Sequence, residues 1–169
     1  MAFYLILDSW FIKMKNEDNY LWFLDTLVNI RVSEKDNSNG ISVLEHCAYQ
    51  NDSPPLHIDE NEDEIFYVVE GEFRFLIKDE EHHLNPGDIL TAPKGILHSY
   101  KIESLGGGRW LTITNGGDFE GFVKVIGRPA AKIELSDRVG ASCKEAVEEL
   151  TRKAAEFDIA DLPCIDLNI

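Results

Sequence analysis

Positive charge is scarce in this chain. Lys and Arg number 16 against 31 Asp and Glu, a formal net charge of −15 over 169 residues. Nucleic acid and anionic lipid surfaces are both held by clustered cationic side chains, so this balance argues against either partner. Cysteine is also sparse. Cys47, Cys143 and Cys164 stand far apart, too few and too scattered for a disulfide framework or a thiolate zinc site. That usage fits a reducing, cytoplasmic setting. No run approaches the roughly 18 consecutive apolar residues of a membrane-spanning helix. The stretch from Ala2 to Ile12 is apolar, but it carries Asp8 and lacks a basic flank, so it reads as a strand and not as a signal peptide.

What is present is an apolar fraction of 44% with 10% aromatics, enough to fill one core. From residue 3 to about 115, short β-type runs alternate with turn signals. Tyr20 to Val32 reads as one aromatic and branched run, followed by a turn cluster at Asp36–Gly40 and a strand at Ile41–Tyr49. Beyond Pro54-Pro55, Glu64–Glu70 and Glu72–Lys78 suggest a hairpin turning near Gly71. Glu81–Leu84, Ile89–Ala92, His98–Glu103 and Arg109–Asn115 complete the strands, and Gly106–Gly108 reads as a flexible hairpin loop. Turns at such close spacing indicate an antiparallel sandwich or barrel.

After Asn115 the pattern changes. Asp118 or a neighbour is expected to cap a short helix over Phe119–Ile126. Ser142–Phe157 carries a capping box at Ser142 and Glu145, and Ala146, Val147, Leu150 and Ala154 form an apolar helical face. The chain therefore divides into a β-barrel over residues 1–130 and a helical extension of the same domain over 131–169.

Four side chains could carry chemistry together. His57 and Asp59, two apart, share one face of a strand. Glu64 opens the next strand with Phe66 and Val68 on its side, and His98 opens another with Tyr100 and Ile102. If these strands line one barrel, two imidazoles and two carboxylates meet among apolar walls. Buried carboxylates need partners, and a divalent cation supplies one.

The spacing resembles that of the cupin superfamily. His57, Asp59, four residues, Glu64, six residues and Gly71 match the first cupin motif, with Asp59 standing where a second His is usual. Gly87, Pro93, Gly95 and His98 match the second motif, whose terminal Asn is replaced by Ile102. The resemblance covers roughly residues 40 to 115. It implies an all-β fold, the cupin double-stranded β-helix or jelly roll, here with a C-terminal helical extension of quercetinase-like type. It implies a divalent transition metal (Fe, Mn, Ni or Zn) held by His57, Asp59, Glu64 and His98, with Glu64 as ligand and base. Two imidazoles and two carboxylates leave a divalent ion formally neutral, where three imidazoles and one carboxylate leave it at +1. The neutral site polarises bound water less. The implied activity is dioxygenase chemistry on a small molecule. A binding or sensing cupin without turnover, with or without metal, is a second reading, and a sugar isomerase or epimerase a third. A homodimer is expected, since small barrels of this type leave sheet edges or an apolar helix to cover.

Other residues invite readings of their own. Phe66, Tyr100, Trp110 and His46 could line a substrate pocket, or serve as barrel core. His57, Asp59 and a distant His also suggest a facial triad, with Arg109 placed to hold an oxoacid cosubstrate, although Glu64 fits the cupin pattern better. Asp59, Asn61, Asp63 and Glu70 have calcium-loop spacing, but Glu64 sits where that loop needs Gly. The Asp59–Glu64 run otherwise reads as an exposed loop. His82 and His83 read as surface residues.

Overall fold

A computed structural model describes residues 20–135 and 144–161. Among the described residues, twelve strands fall in two sheets. The first runs in the order β11-β1-β2-β3-β10-β5-β8 and the second β12-β4-β9-β6-β7. The strands are β1 (Tyr20–Phe23), β2 (Thr26–Val32), β3 (Ile41–Ala48), β4 (His57–Asp59), β5 (Glu64–Glu70), β6 (Phe73–Ile77), β7 (Glu80–Leu84), β8 (Ile89–Ala92), β9 (His98–Ile102), β10 (Gly108–Asn115), β11 (Arg128–Pro129) and β12 (Ile159–Asp161). Two helices, α1 (Asp118–Ile126) and α2 (Lys144–Ala155), follow the barrel strands. All strand pairings are antiparallel. This is the jelly-roll barrel with a small helical extension that the resemblance implied.

Alternation builds the interior. In β10, Gly108, Trp110, Thr112 and Thr114 are buried and the residues between them are not. In β5 the buried positions are Glu64, Phe66 and Val68. Cross-strand register then places Trp110 opposite His46 and Val68, and Phe75 opposite Tyr100. The result is an aromatic core of Phe66, Phe73, Phe75 and Trp110, each at most 3% exposed, with Tyr100 packed against it. The polar ligand candidates share this inward face with the core, because strand periodicity leaves them no other.

Several local expectations are corrected. Tyr20–Val32 is two strands: the chain turns at Leu24, where φ is 54°, and β1 pairs back on β2. Glu64–Glu70 and Phe73–Ile77 are not a hairpin. They lie in different sheets, and Gly71 is the corner between them. Its φ is 91°, and a Cβ there would meet Gly107 O at 2.6 Å and Ser104 Oγ at 2.7 Å, so only glycine fits. Gly106–Gly108 likewise links β9 to β10 across the two sheets. The hairpin of this region is β6–β7, with Ile77 opposite Glu80.

Helix α1 is capped by a distant side chain. Gly117 occupies the N-cap position, and Glu62, from the loop before β5, accepts hydrogen bonds from Gly117 N (3.1 Å) and Phe119 N. A carboxylate satisfies the free N–H groups there and complements the helix dipole. Glu120, also buried, accepts from Ser33 Oγ, Ser42 Oγ, Glu34 N and Lys124 Nζ, which holds its carboxyl near 2 against the cost of burial. The extension packs on this end of the molecule. Ala154 of α2, Ile159 of β12 and Phe122 of α1 form one buried cluster, with Phe23, Leu150 and Phe157 against it. Strand β12 pairs with β4, Asp161 opposite His57 and Ile159 opposite Asp59. The Ser142 capping box lies outside the described residues, as do Cys143 and Cys164.

Candidate metal centre

Strands β4, β5 and β9 bring four side chains together. His57 and Asp59 come from β4, Glu64 opens β5, and His98 opens β9 directly opposite His57. One ligand atom from each lies within 4.8 Å of those of the other three. His98 Nε2 is 3.0 Å from Glu64 Oε2 and 3.4 Å from Asp59 Oδ2, and His57 Nε2 is 3.6 Å from Asp59 Oδ2. Asp59, Glu64 and His98 are each 2% exposed, and His57, with its side chain 15% exposed, is the least buried of the four.

The imidazoles are oriented by backbone. His57 Nδ1 lies 2.8 Å from Pro55 O, and His98 Nδ1 lies 2.9 Å from Ile96 O, each two residues upstream. A carbonyl oxygen only accepts, so both Nδ1 atoms carry the proton and both Nε2 atoms turn to the cluster centre. This is the arrangement in which an outer hydrogen bond fixes the tautomer of a metal-ligating histidine.

The arrangement is unbalanced without a cation. With Nδ1–H committed to Ile96, a neutral His98 would present a lone pair to two carboxylates. Both oxygens of Asp59 are buried and have no hydrogen-bond donor. Burial and the adjacent Glu64 charge push the Asp59 carboxyl up to about 8. His98 is penalised by burial, but its hydrogen bond to Glu64 and the nearby carboxylates outweigh this and raise it. His57 goes the other way: burial and the neighbouring His98 lower it to about 4. A positive charge at the centre satisfies every one of these groups. Two imidazole nitrogens and two carboxylate oxygens also suit a borderline or hard divalent ion such as Fe, Mn, Ni or Zn. The donor set therefore fits a divalent transition metal.

The remaining candidates are placed as follows. Phe66 and Trp110 are buried in the aromatic core, and Tyr100 is half-buried against them with its hydroxyl 3.3 Å from Asp52 Oδ2. His46 is buried in a stack with Trp110 and Phe119, ring centroids 4.9 Å and 5.9 Å away, and burial lowers it to about 3. It stands apart from the four-residue cluster. Arg109 does not reach the interior. It alternates with Trp110 and faces outward, where it pairs with Glu45 (2.9 Å) and Glu70 (2.7 Å), so it is not available to a cosubstrate in the barrel. The Asp59–Glu64 run is not a plain exposed loop. Asp59, Glu62 and Glu64 are buried, and only Glu60, Asn61 and Asp63 face solvent. Glu64–Glu70 is a strand, which removes the calcium-loop reading. His82 and His83 lie on the outer strand β7, beside Glu80 and Glu103 respectively.

Comparison with known proteins agrees with the fold. Residues 44–114, less than half of the chain, match the family described as Cupin domain. The architecture is that of the cupin superfamily. Quercetin 2,3-dioxygenase of Bacillus subtilis (strain 168) is 30% identical over 105 residues, covering 62% of this chain and 31% of that protein. Acireductone dioxygenase of Xenopus tropicalis is 31% identical over 102 residues, covering 54% of this chain and 48% of that protein. The chain thus spans less than half the length of these curated relatives. Among solved structures, KdgF from Halomonas sp. superposes with a TM-score of 0.53 at 18% identity, covering 60% of this chain and 89% of that one, a likeness of fold alone. Among the described residues no helix is long and apolar enough to cross a membrane.

Proposed function

We propose that this chain is a metal-dependent cupin enzyme of dioxygenase type acting on a small organic molecule. The observation that carries the reading is the convergence of His57, Asp59, Glu64 and His98, with both imidazoles locked Nε2-inward. A bound transition metal supplies Lewis acidity and, for Fe or Mn, access to dioxygen chemistry. His57 and His98 hold their nitrogens in place through Pro55 and Ile96. Glu64 Oε2 is the atom placed to accept a proton from an acidic substrate hydroxyl, leaving the substrate oxygen as an anion. Phe66, Phe75 and Trp110 keep water from the inner side, so the substrate enters from the His57 side.

The relatives named for quercetin and acireductone supply the probes. Protein purified without chelator and loaded with Fe or Mn should consume oxygen in step with loss of quercetin or an acireductone, and His98→Ala should not. One specific observation favours a second reading. Asp59 stands where the usual pattern has a third imidazole, which leaves a bound divalent ion formally neutral and a weaker Lewis acid, and this suits binding without turnover. Stoichiometric metal with no oxygen uptake on either probe would select that reading. We further propose a homodimer in the cytoplasm, tested by sedimentation and by fractionation.

A further inference from the structure

A second polar site lies away from the four-residue cluster. The turn between β1 and β2 meets the connection from β3 to β4, and the two border a half-open cavity of about 200 Å³ lined by Asp25, Tyr49, Asn51, Asp52 and Ser53. None of the four metal-ligand candidates lines it. Its floor is held by backbone pairing: Asn51 N donates to Ile102 O (2.9 Å) and Ile102 N to Asp52 O (3.1 Å), so the loop is tied to the end of β9. Asn51 sits at φ 66° to make this turn. Asp52 is aimed by two donors from the barrel side, Tyr100 OH at 3.3 Å and Thr26 Oγ1 at 3.5 Å, both on Oδ2. The wall is thus pre-formed and tied to the aromatic core through Tyr100.

We propose that this cavity is a binding site for a small, uncharged, polyhydroxylated molecule. The lining decides the chemistry. Carboxylates and a side-chain amide accept from hydroxyls, while Tyr49, Asn51 and Ser53 donate to them, a mixed set that complements alcohol groups. Asp25 and Asp52, on a chain of net charge −15, oppose phosphorylated or carboxylated ligands. A transition metal is poorly served, because the lining carries neither His nor Cys. An organic cation calls for an aromatic cage, and Tyr49 is the one aromatic in the lining. Size agrees: with a share of roughly 30 Å³ per water, the cavity holds about six or seven waters. That is below the range of about 300–1,000 Å³ for drug-sized ligands.

The test is a calorimetric titration of the full chain with erythritol, xylitol and myo-inositol, with gluconate and choline as charged controls. Saturable binding of at least one polyol, and of neither control, is expected. Asp52→Ala should weaken it about tenfold or more, the loss of a charged acceptor. Because Asp52→Ala could disturb Tyr100, Ser53→Trp at the exposed rim serves as the second variant; it should fill the cavity and abolish binding while thermal unfolding stays unchanged. Binding should persist in His98→Ala and after chelator treatment, which separates this site from the metal centre. No saturation by any polyol, equal binding of either control, or binding indifferent to Ser53→Trp would overturn the proposal.

Discussion

His98 Nε2 lies 3.0 Å from Glu64 Oε2 while its other ring nitrogen is engaged by the carbonyl of Ile96. The contact has two ways to be favourable. Either a proton lies between Nε2 and the carboxylate, or a cation stands in the proton's place. The same alternative governs Asp59, whose oxygens have no donor. Protons and metal therefore compete for one small volume.

Metal affinity should consequently rise with pH. Asp59 is pushed up to about 8 and His98 above its ordinary value, so proton release should accompany entry of the ion. His57, lowered to about 4, is already neutral and contributes none. Calorimetric titration near pH 7 in buffers of different ionisation enthalpy should show proton release, and affinity should increase between about pH 6 and 8. Binding that is independent of pH and of buffer would contradict this.

The stability of the metal-free protein should show the matching signature. A carboxyl whose folded pKa is raised contributes stability that is complete below its unfolded value, 3.8 for Asp59, and lost as pH rises through about 8. His46 and His57 have the opposite sign. Their folded values are depressed to about 3 and about 4, so their contribution is full above the ordinary 6.5 and lost as pH falls. Urea unfolding in chelator should give a maximum near pH 6.5 with decline on both sides. Asp59→Asn should lessen the alkaline decline and steepen the acid one, because the Asp59 contribution falls from 3.8 to about 8 and so opposes that of the histidines below 6.5.

Glu62 should matter for stability. Glu62→Ala leaves the N–H groups of Gly117 and Phe119 without their acceptor, at a cost of about 1–2 kcal/mol, the size of a lost helix cap. A midpoint shift in urea with unchanged slope is the expected result.

Strand β12 should support the metal centre from outside the barrel. It pairs with β4, the strand that carries His57 and Asp59. Removing residues 144–169 should lower metal affinity by roughly ten- to a hundredfold, the scale of losing outer support for ligands. Equal affinity in the shortened protein would show that β4 holds its ligands unaided.

The ligand cluster was legible in the sequence because a period of two and a set of turns are local properties. His57 and Asp59 share a strand face by spacing alone, and Glu64 and His98 each open a strand after a turn. Partners distant along the chain were not legible. Glu62 reads as one more acid in a charged loop until α1, more than fifty residues on, offers its free N–H groups. Arg109 is set outward by its alternation with Trp110, which is local, but its partners Glu45 and Glu70, distant along the chain, were not legible. Gly71 signalled a turn but not that the turn leads to the other sheet, which depends on the packing of Ser104 and Gly107 against it.

The most direct test of the account is X-ray absorption at the metal edge of protein loaded with one equivalent of Mn or Zn. A first shell of two imidazole nitrogens with carboxylate oxygens, lost in His98→Ala, is the predicted result. A third imidazole, a thiolate, or a spectrum unchanged by His98→Ala would contradict it.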